Sequence, residues 1–214
     1  MQFQRRIFLI TLIVVGLIFV LGLLLGFKFD EWRTDETQIL LTETKIDSES
    51  FVVEADFIST FGLDSCTALK PRLNSLSKNL VEVGTKLNEY DLKKMSETIE
   101  FDILKRSYFL LELSSLTLNK KLKDQCDSSG FNIIYFYSLD QEDSIKQGYV
   151  LDTFVRSSEN VHIFSFDYGF SEPAVDALKA YYNITSTPTI ILDFEDKKEG
   201  YYSFGALVSY YNAK

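Results

Sequence analysis

The alternation of apolar and polar positions divides the chain into four stretches. Ile7 to Phe27 (IFLITLIVVGLIFVLGLLLGF) runs for 21 residues without a charge, about the length that crosses a hydrocarbon core of ~30 Å at 1.5 Å per residue. Every face of such a helix is apolar, which a soluble helix with one wet side does not need. The run exceeds the ~7–15 residues usual for the apolar part of a signal peptide, and no Ala-x-Ala-like site follows Phe27, so a retained anchor in the lipid bilayer is expected. Arg5, Arg6 and the N-terminal amine before the span, against Lys28 and Arg33 after it, favour by a narrow margin a cytoplasmic N-terminus and an extracytoplasmic body. Asp30 to Glu49 is polar and acidic, interrupted by Ile39-Leu40-Leu41, and fits either a continuation of the membrane helix or a stalk. Asp47-Ser48-Glu49-Ser50 supplies cap-type residues ahead of Phe51, Ala55 and Ile58, so a short helix stopped by Gly62 is expected.

A helical stripe begins at Leu69 and continues through Leu73, Leu76, Leu80, Val83 and Leu87, with Pro71 suited to the first turn. A second helix is predicted from about Ser96 to Cys126, with Ile99, Ile103, Leu110 and Leu113 among its apolar positions. Leu104, Tyr108, Leu111, Leu118 and Leu122 widen that face, as for a helix packed on more than one neighbour. The short polar segment Asn88 to Lys94 folds the pair into an antiparallel hairpin. Each of the two cysteines, Cys66 and Cys126, then lies ~36–42 Å from the turn, on the same side. The expected consequence is a structural disulfide clamping the hairpin, in preference to two free thiols.

From Phe131 the period changes. Phe131 to Tyr137 (FNIIYFY) and Val161 to Phe166 (VHIFSF) read as strands, and Ser144 to Ser157 as a helix on the spacing of Ile145, Tyr149, Asp152 and Val155, with Leu151 and Phe154 beside them. Pro173 opens a further helix with Ser171 as its expected cap. Thr185 to Leu192 (TSTPTIIL) makes a third strand opening on Pro188, Glu199-Gly200 a turn into a fourth over Tyr201 to Phe204, and a short helix follows Gly205. The order β-α-β-α-β-β-α implies an α/β domain with a mixed sheet and helices on both faces. The expected organisation is 1–28 as tip and anchor, 29–62 as stalk and short helix, 63–127 as helical hairpin and 130–214 as the α/β domain.

Charge narrows the partners. Of 22 basic and 31 acidic residues, only Arg5 and Arg6 lie in the first 27 positions, so 20 basic residues face 31 acidic ones in the remainder. Such a body gains nothing from a nucleic-acid backbone. One histidine and two cysteines at no ligand spacing make no metal site, and no glycine-rich phosphate loop is present, so no cofactor is expected. His162 falls within a strand and has no evident orienting partner for nucleophilic catalysis. Asp140, Glu142 and Asp143 read as solvated helix-cap residues, and the pairs Tyr181-Tyr182, Tyr201-Tyr202 and Tyr210-Tyr211 as half-buried surface. Asn183-Ile184-Thr185 is an acceptor triplet for N-glycosylation.

Residues from about Gly130 to Tyr211, through the strand Asn132 to Ser138, the strand Val161 to Asp167, Thr187-Pro188 and Gly205, resemble the thioredoxin superfamily in order and spacing. The resemblance implies a cis Thr187-Pro188 bond at the start of the third core strand and a peptide-binding groove beside it, lined by Thr187, Pro188 and the 140–144 loop. Members that act as oxidoreductases carry Cys-x-x-Cys at the start of the helix after the first strand, where the helix N-terminus lowers a thiol pKa. Here Gln141-Glu142-Asp143-Ser144 stands in that place, with Gln141 and Ser144 in the two cysteine positions. Neither side chain forms a disulfide. The expectation is therefore a membrane-anchored, redox-inactive binding or scaffolding protein that takes a protein or peptide partner. The alternative is a thiol–disulfide oxidoreductase acting through Cys66 and Cys126.

Overall fold

The structure is a computed structural model and describes residues 2–61, 65–93, 95, 98–126 and 130–214. Two compact units divide the chain, Met1–Asp47 and Ser48–Lys214. Within the first, helix α1 (Gln2–Phe61) begins, and its segment Arg6–Lys28 is long and apolar enough to cross a membrane, with no buried residue in its apolar window. α1 continues without a break through Asp47 to Ser50 and into the second unit. The expected helix start at those cap-type residues is thus corrected: with helix formers on both sides, the cap side chains remain inside a continuing helix. The expected stop at Gly62 lies outside the described residues.

In the second unit, α2 (Ser65–Leu92) and α3 (Ile99–Cys126) pack on one another. Leu69, Leu76 and Val83 of the α2 stripe are buried, with Leu73, Leu80 and Leu87 half-buried beside them. Pro71 lies well inside α2 rather than in its first turn, because the helix starts at Ser65; the ring removes one rung of the backbone ladder there. Gly84 stands opposite Tyr108, where a Cβ would come within 3.3 Å of the ring. A small residue therefore lets the two helices approach. Thr98 Oγ1 accepts the Phe101 N–H at 3.3 Å and caps α3; the expected start at Ser96 lies outside the described residues.

The buried face of α3 differs from the simplest reading of its spacing. Ile99 is 75% exposed and Ile103 47%, while Leu104, Phe109, Leu111, Leu116, Leu118 and Leu122 are buried. α3 serves two neighbours, α2 on one side and the sheet on the other, so its buried positions spread beyond any single stripe.

Four strands follow, β1 (Phe131–Tyr137), β2 (Val161–Asp167), β3 (Thr189–Leu192) and β4 (Asp196–Glu199), in the sheet order β2-β1-β3-β4. β1 runs parallel to β2 and antiparallel to β3, and β3 antiparallel to β4. Phe131 to Phe136 are all buried, as a central strand covered on both faces requires. On one face Ile134, Phe136, Phe164, Phe166 and Ile191 pack with Phe109 and Leu116 of α3 and Val175 of α5 (Pro173–Tyr181). On the other, Phe131, Ile133, Tyr135, Ile190 and Leu192 pack with Leu151 and Phe154 of α4 (Glu142–Ser157) and Leu207 of α6 (Phe204–Ala213). Lys105 to Asp167 (2.7 Å) and Arg106 to Glu172 (2.5 Å) tie α3 to the end of β2 and the start of α5.

Three local expectations are corrected. The inward side of α4 is Ser144, Gln147, Leu151 and Phe154, whereas Ile145, Tyr149 and Val155 are exposed; small and amide residues on the buried side hid the true period. α5 is preceded by Glu172 at its N-cap rather than Ser171, since Pro173 fixes the first helical position. The last strand is Asp196–Glu199, not Tyr201 to Phe204. Asp193 (φ 55°) and Phe194 (φ 70°) adopt left-handed backbone and turn the chain early, while Gly200 (φ 77°) ends the strand. Its charged residues suit the sheet edge they occupy.

Cys66 and Cys126 form a disulfide with Cα atoms 5.6 Å apart, bridging a sequence separation of 60 residues. In the chain-entropy view a loop of that size contributes about 4 kcal/mol. A Cys66→Ser, Cys126→Ser double variant is expected to lose up to about 4 kcal/mol in denaturant unfolding, and reductant should leave its midpoint unchanged while lowering that of the wild type.

Candidate functional site

Two places on the second unit gather polar chemistry. The first is the N-terminus of α4. Gln141 occupies the N-cap position without a side-chain cap hydrogen bond. Its Oε1 instead accepts the Thr187 hydroxyl at 2.6 Å, bringing together residues 46 apart in sequence at the cis Thr187–Pro188 bond. Pro188 itself is buried, and its carbonyl accepts the Gly200 N–H at 2.8 Å. Glu142 pairs with Lys146 at 2.9 Å, which holds the exposed carboxyl below its ordinary range. Ser138 donates its hydroxyl to Asp140 at 2.7 Å.

Ser144 lies apart from this surface. It is only 2% exposed, its hydroxyl accepts the Ser138 N–H at 3.2 Å, and its carbonyl accepts the Tyr135 hydroxyl. The expected placement of Ser144 on a groove is therefore corrected: its side chain fastens the β1–α4 turn, while Gln141 and Thr187 remain at the surface. Asn183, exposed and left-handed at φ 49°, turns the chain after α5, and its carbonyl accepts a hydrogen bond from Lys197 at 3.0 Å.

His162 sits in β2, where burial pushes its pKa down. In the tyrosine pairs, Tyr181 and Tyr201 are exposed. Tyr182 and Tyr211 anchor their hydroxyls on the carbonyls of Phe194 (3.2 Å) and Glu159 (3.0 Å), and Tyr210 anchors its own on Asp196. Among the described residues no three His, Cys, Asp or Glu side chains gather to hold a metal ion.

The second place was not singled out from the sequence. A cavity of about 360 Å³ opens between α3 and α4 and includes Tyr108, Glu112, Tyr135, Gly148, Asp152 and Arg156 in its wall. Glu112, 5% exposed, accepts the Ser165 N–H on Oε2 at 2.7 Å and the hydroxyl of Tyr108. Burial pushes its carboxyl up to about 8 against the opposing pull of those two donors. Tyr108 is raised in turn by its own burial and by the neighbouring Glu112, and burial pushes Tyr135 up to about 12. The readable signal was the lone acid in the run Phe109-Leu110-Leu111-Glu112-Leu113, placed on the buried side with Phe109 and Leu116.

Comparison with known protein families gives no match to this chain, and no characterised protein matches it in sequence.

Unfolded, Glu112 ionises near 4.5, and folded it keeps its proton to about 8. Between those values the native state binds the extra proton, so this group makes stability fall as pH rises. Glu112→Gln removes that slope. Thermal unfolding at pH 5 and pH 8 should show the variant gaining on the wild type with rising pH, by up to a few kcal/mol.

Proposed function

We propose that this chain is a membrane-anchored, redox-inactive binding module with a thioredoxin-like domain, facing the extracytoplasmic side. The observation that carries the reading is the tip of α4, which presents Gln141, Glu142 and Asp143 beside the cis Thr187–Pro188 bond. A dithiol enzyme needs two sulfurs at that tip, with the helix N-terminus stabilising one thiolate. Here an amide and carboxylates stand in their place, and both cysteines of the chain are joined to each other elsewhere, between α2 and α3. The mixed sheet with helices on both faces and the apolar Arg6–Lys28 segment support the fold and the anchor.

In this reading Thr187 and Gln141 form part of a groove for an extended segment of a protein partner, with the backbone beside Pro188 supplying hydrogen bonds. Arg5, Arg6 and the N-terminal amine before the anchor, against Lys28 and Arg33 after it, support the orientation. The rival, a thiol–disulfide oxidoreductase using Cys66 and Cys126, rests on the partial exposure of both residues. It predicts insulin reduction that disappears in Cys66→Ser.

Pulldown from membranes with wild type and Thr187→Arg tests the groove. The arginine should abolish capture of the partners that the wild type retains. Identical partner sets would reject this surface as the contact.

A further inference from the structure

β2 is an edge strand, paired with β1 and, among the described residues, with no strand on its other side. At the ends of that ladder Phe131 N–H reaches the Asn160 carbonyl at 2.9 Å and Tyr168 N–H reaches the Tyr137 carbonyl at 2.8 Å. Even-numbered residues therefore turn their backbone groups toward β1, and alternation along a parallel strand turns those of Val161, Ile163 and Ser165 outward. The Ser165 N–H confirms this parity, since Glu112 takes it from outside the sheet. Glu112 thus closes one end of the open edge. Among the described residues nothing takes the outward N–H groups of Val161 and Ile163.

These three residues form the floor of the Glu112 cavity. Its α4 wall contains Gly148, a mid-helix glycine, which is less favourable there than alanine. Nothing lies within 4 Å of where its Cβ would be, so the absent side chain leaves open space rather than permitting a close contact. An open edge, an open-mouthed cavity beside it and a helix notched toward that cavity coincide. In the wall Asp152 is matched by Arg156, and Glu112 keeps its proton to about 8; the chain beyond the apolar segment carries 31 acidic residues against 20 basic ones, and that excess favours a basic partner.

We propose that the outward edge of β2 at Val161 and Ile163 takes a short, basic peptide segment of a partner as an added strand, its side chains entering the cavity between Glu112 and Gly148. Main-chain hydrogen bonds to Val161 and Ile163 supply the register, and the capped Ser165 limits the segment to a few residues. This surface is distinct from the Thr187–Gln141 contact.

The test uses the full chain in phosphatidylcholine nanodiscs with an end-blocked (Lys-Val)3 peptide. Its fully N-methylated counterpart, with the same side chains and charge but no N–H to donate, is the control. Addition of the first peptide should slow amide exchange at Val161 and Ile163, and it should bind about tenfold more tightly than the methylated form. Gly148→Trp, which fills the notch, and Ile163→Pro, which removes one outward donor on the side away from the β1 ladder, should each weaken binding about tenfold. Gly148→Ala should retain it. Equal affinity for the two peptides, unchanged exchange at Val161 and Ile163, or full binding by both weakened variants would overturn the proposal. Protection that grows with protein concentration in the absence of peptide would also overturn it, assigning the edge to a second copy of this chain.

Discussion

The second unit is organised by the complete burial of β1. Six consecutive residues, Phe131 to Phe136, are withdrawn from water, so their side chains need cover on both sides of the sheet. Strand pairing satisfies the backbone through β2 and β3, but only two helical layers can shield the side chains. α4 and α6 supply one layer. α3 and α5 supply the other, and this second demand shapes the helical hairpin. α3 has to present Phe109 and Leu116 to the sheet while it presents other residues to α2. A helix with two apolar neighbours loses the clean separation of wet and dry faces, and Glu112 is drawn into the interior with its hydrophobic neighbours. Its carboxyl is tolerated there because Ser165 and Tyr108 both donate to it.

Much of this arrangement was legible in the chain. The strand runs FNIIYFY and VHIFSF announced themselves by length and β-branched or aromatic content, and the α2 stripe from Leu69 to Leu87 gave the hairpin its seam. Pairing Cys66 with Cys126 followed from counting residues to the turn. What escaped was set by tertiary context. In α3 and α4 the most regular apolar spacing, Ile99–Ile103 and Ile145–Tyr149, ran along the exposed side. Packing selected Leu104, Leu151 and Phe154 instead, together with small and polar residues such as Ser144 and Gln147 that no hydropathy pattern would place inside. The strand at Asp196–Glu199 was hidden for the opposite reason: an edge strand can be almost wholly charged.

The candidate sites show the same division. Contact between Gln141 and Thr187 joins two segments whose nearness depends on β1 and β3 lying side by side. Once the strand order is known, that contact follows from the positions of the α4 N-terminus and the residue before Pro188. The Glu112 cavity does not follow from strand order alone. It depends on how far α3 and α4 overhang β2, and on the absence of one side chain at Gly148. A glycine inside a helix is a visible departure from propensity, yet its meaning appears only when the space beside it is seen.

The bond between Cys66 and Cys126 has a mechanical consequence. Tension applied between α1 and the sheet enters the hairpin near one sulfur and leaves near the other, so the covalent bridge carries the load directly. The loop of chain closed by the bridge, with its α2–α3 turn, then lies off the path of that force, and the turn is not stretched by a pull on α1.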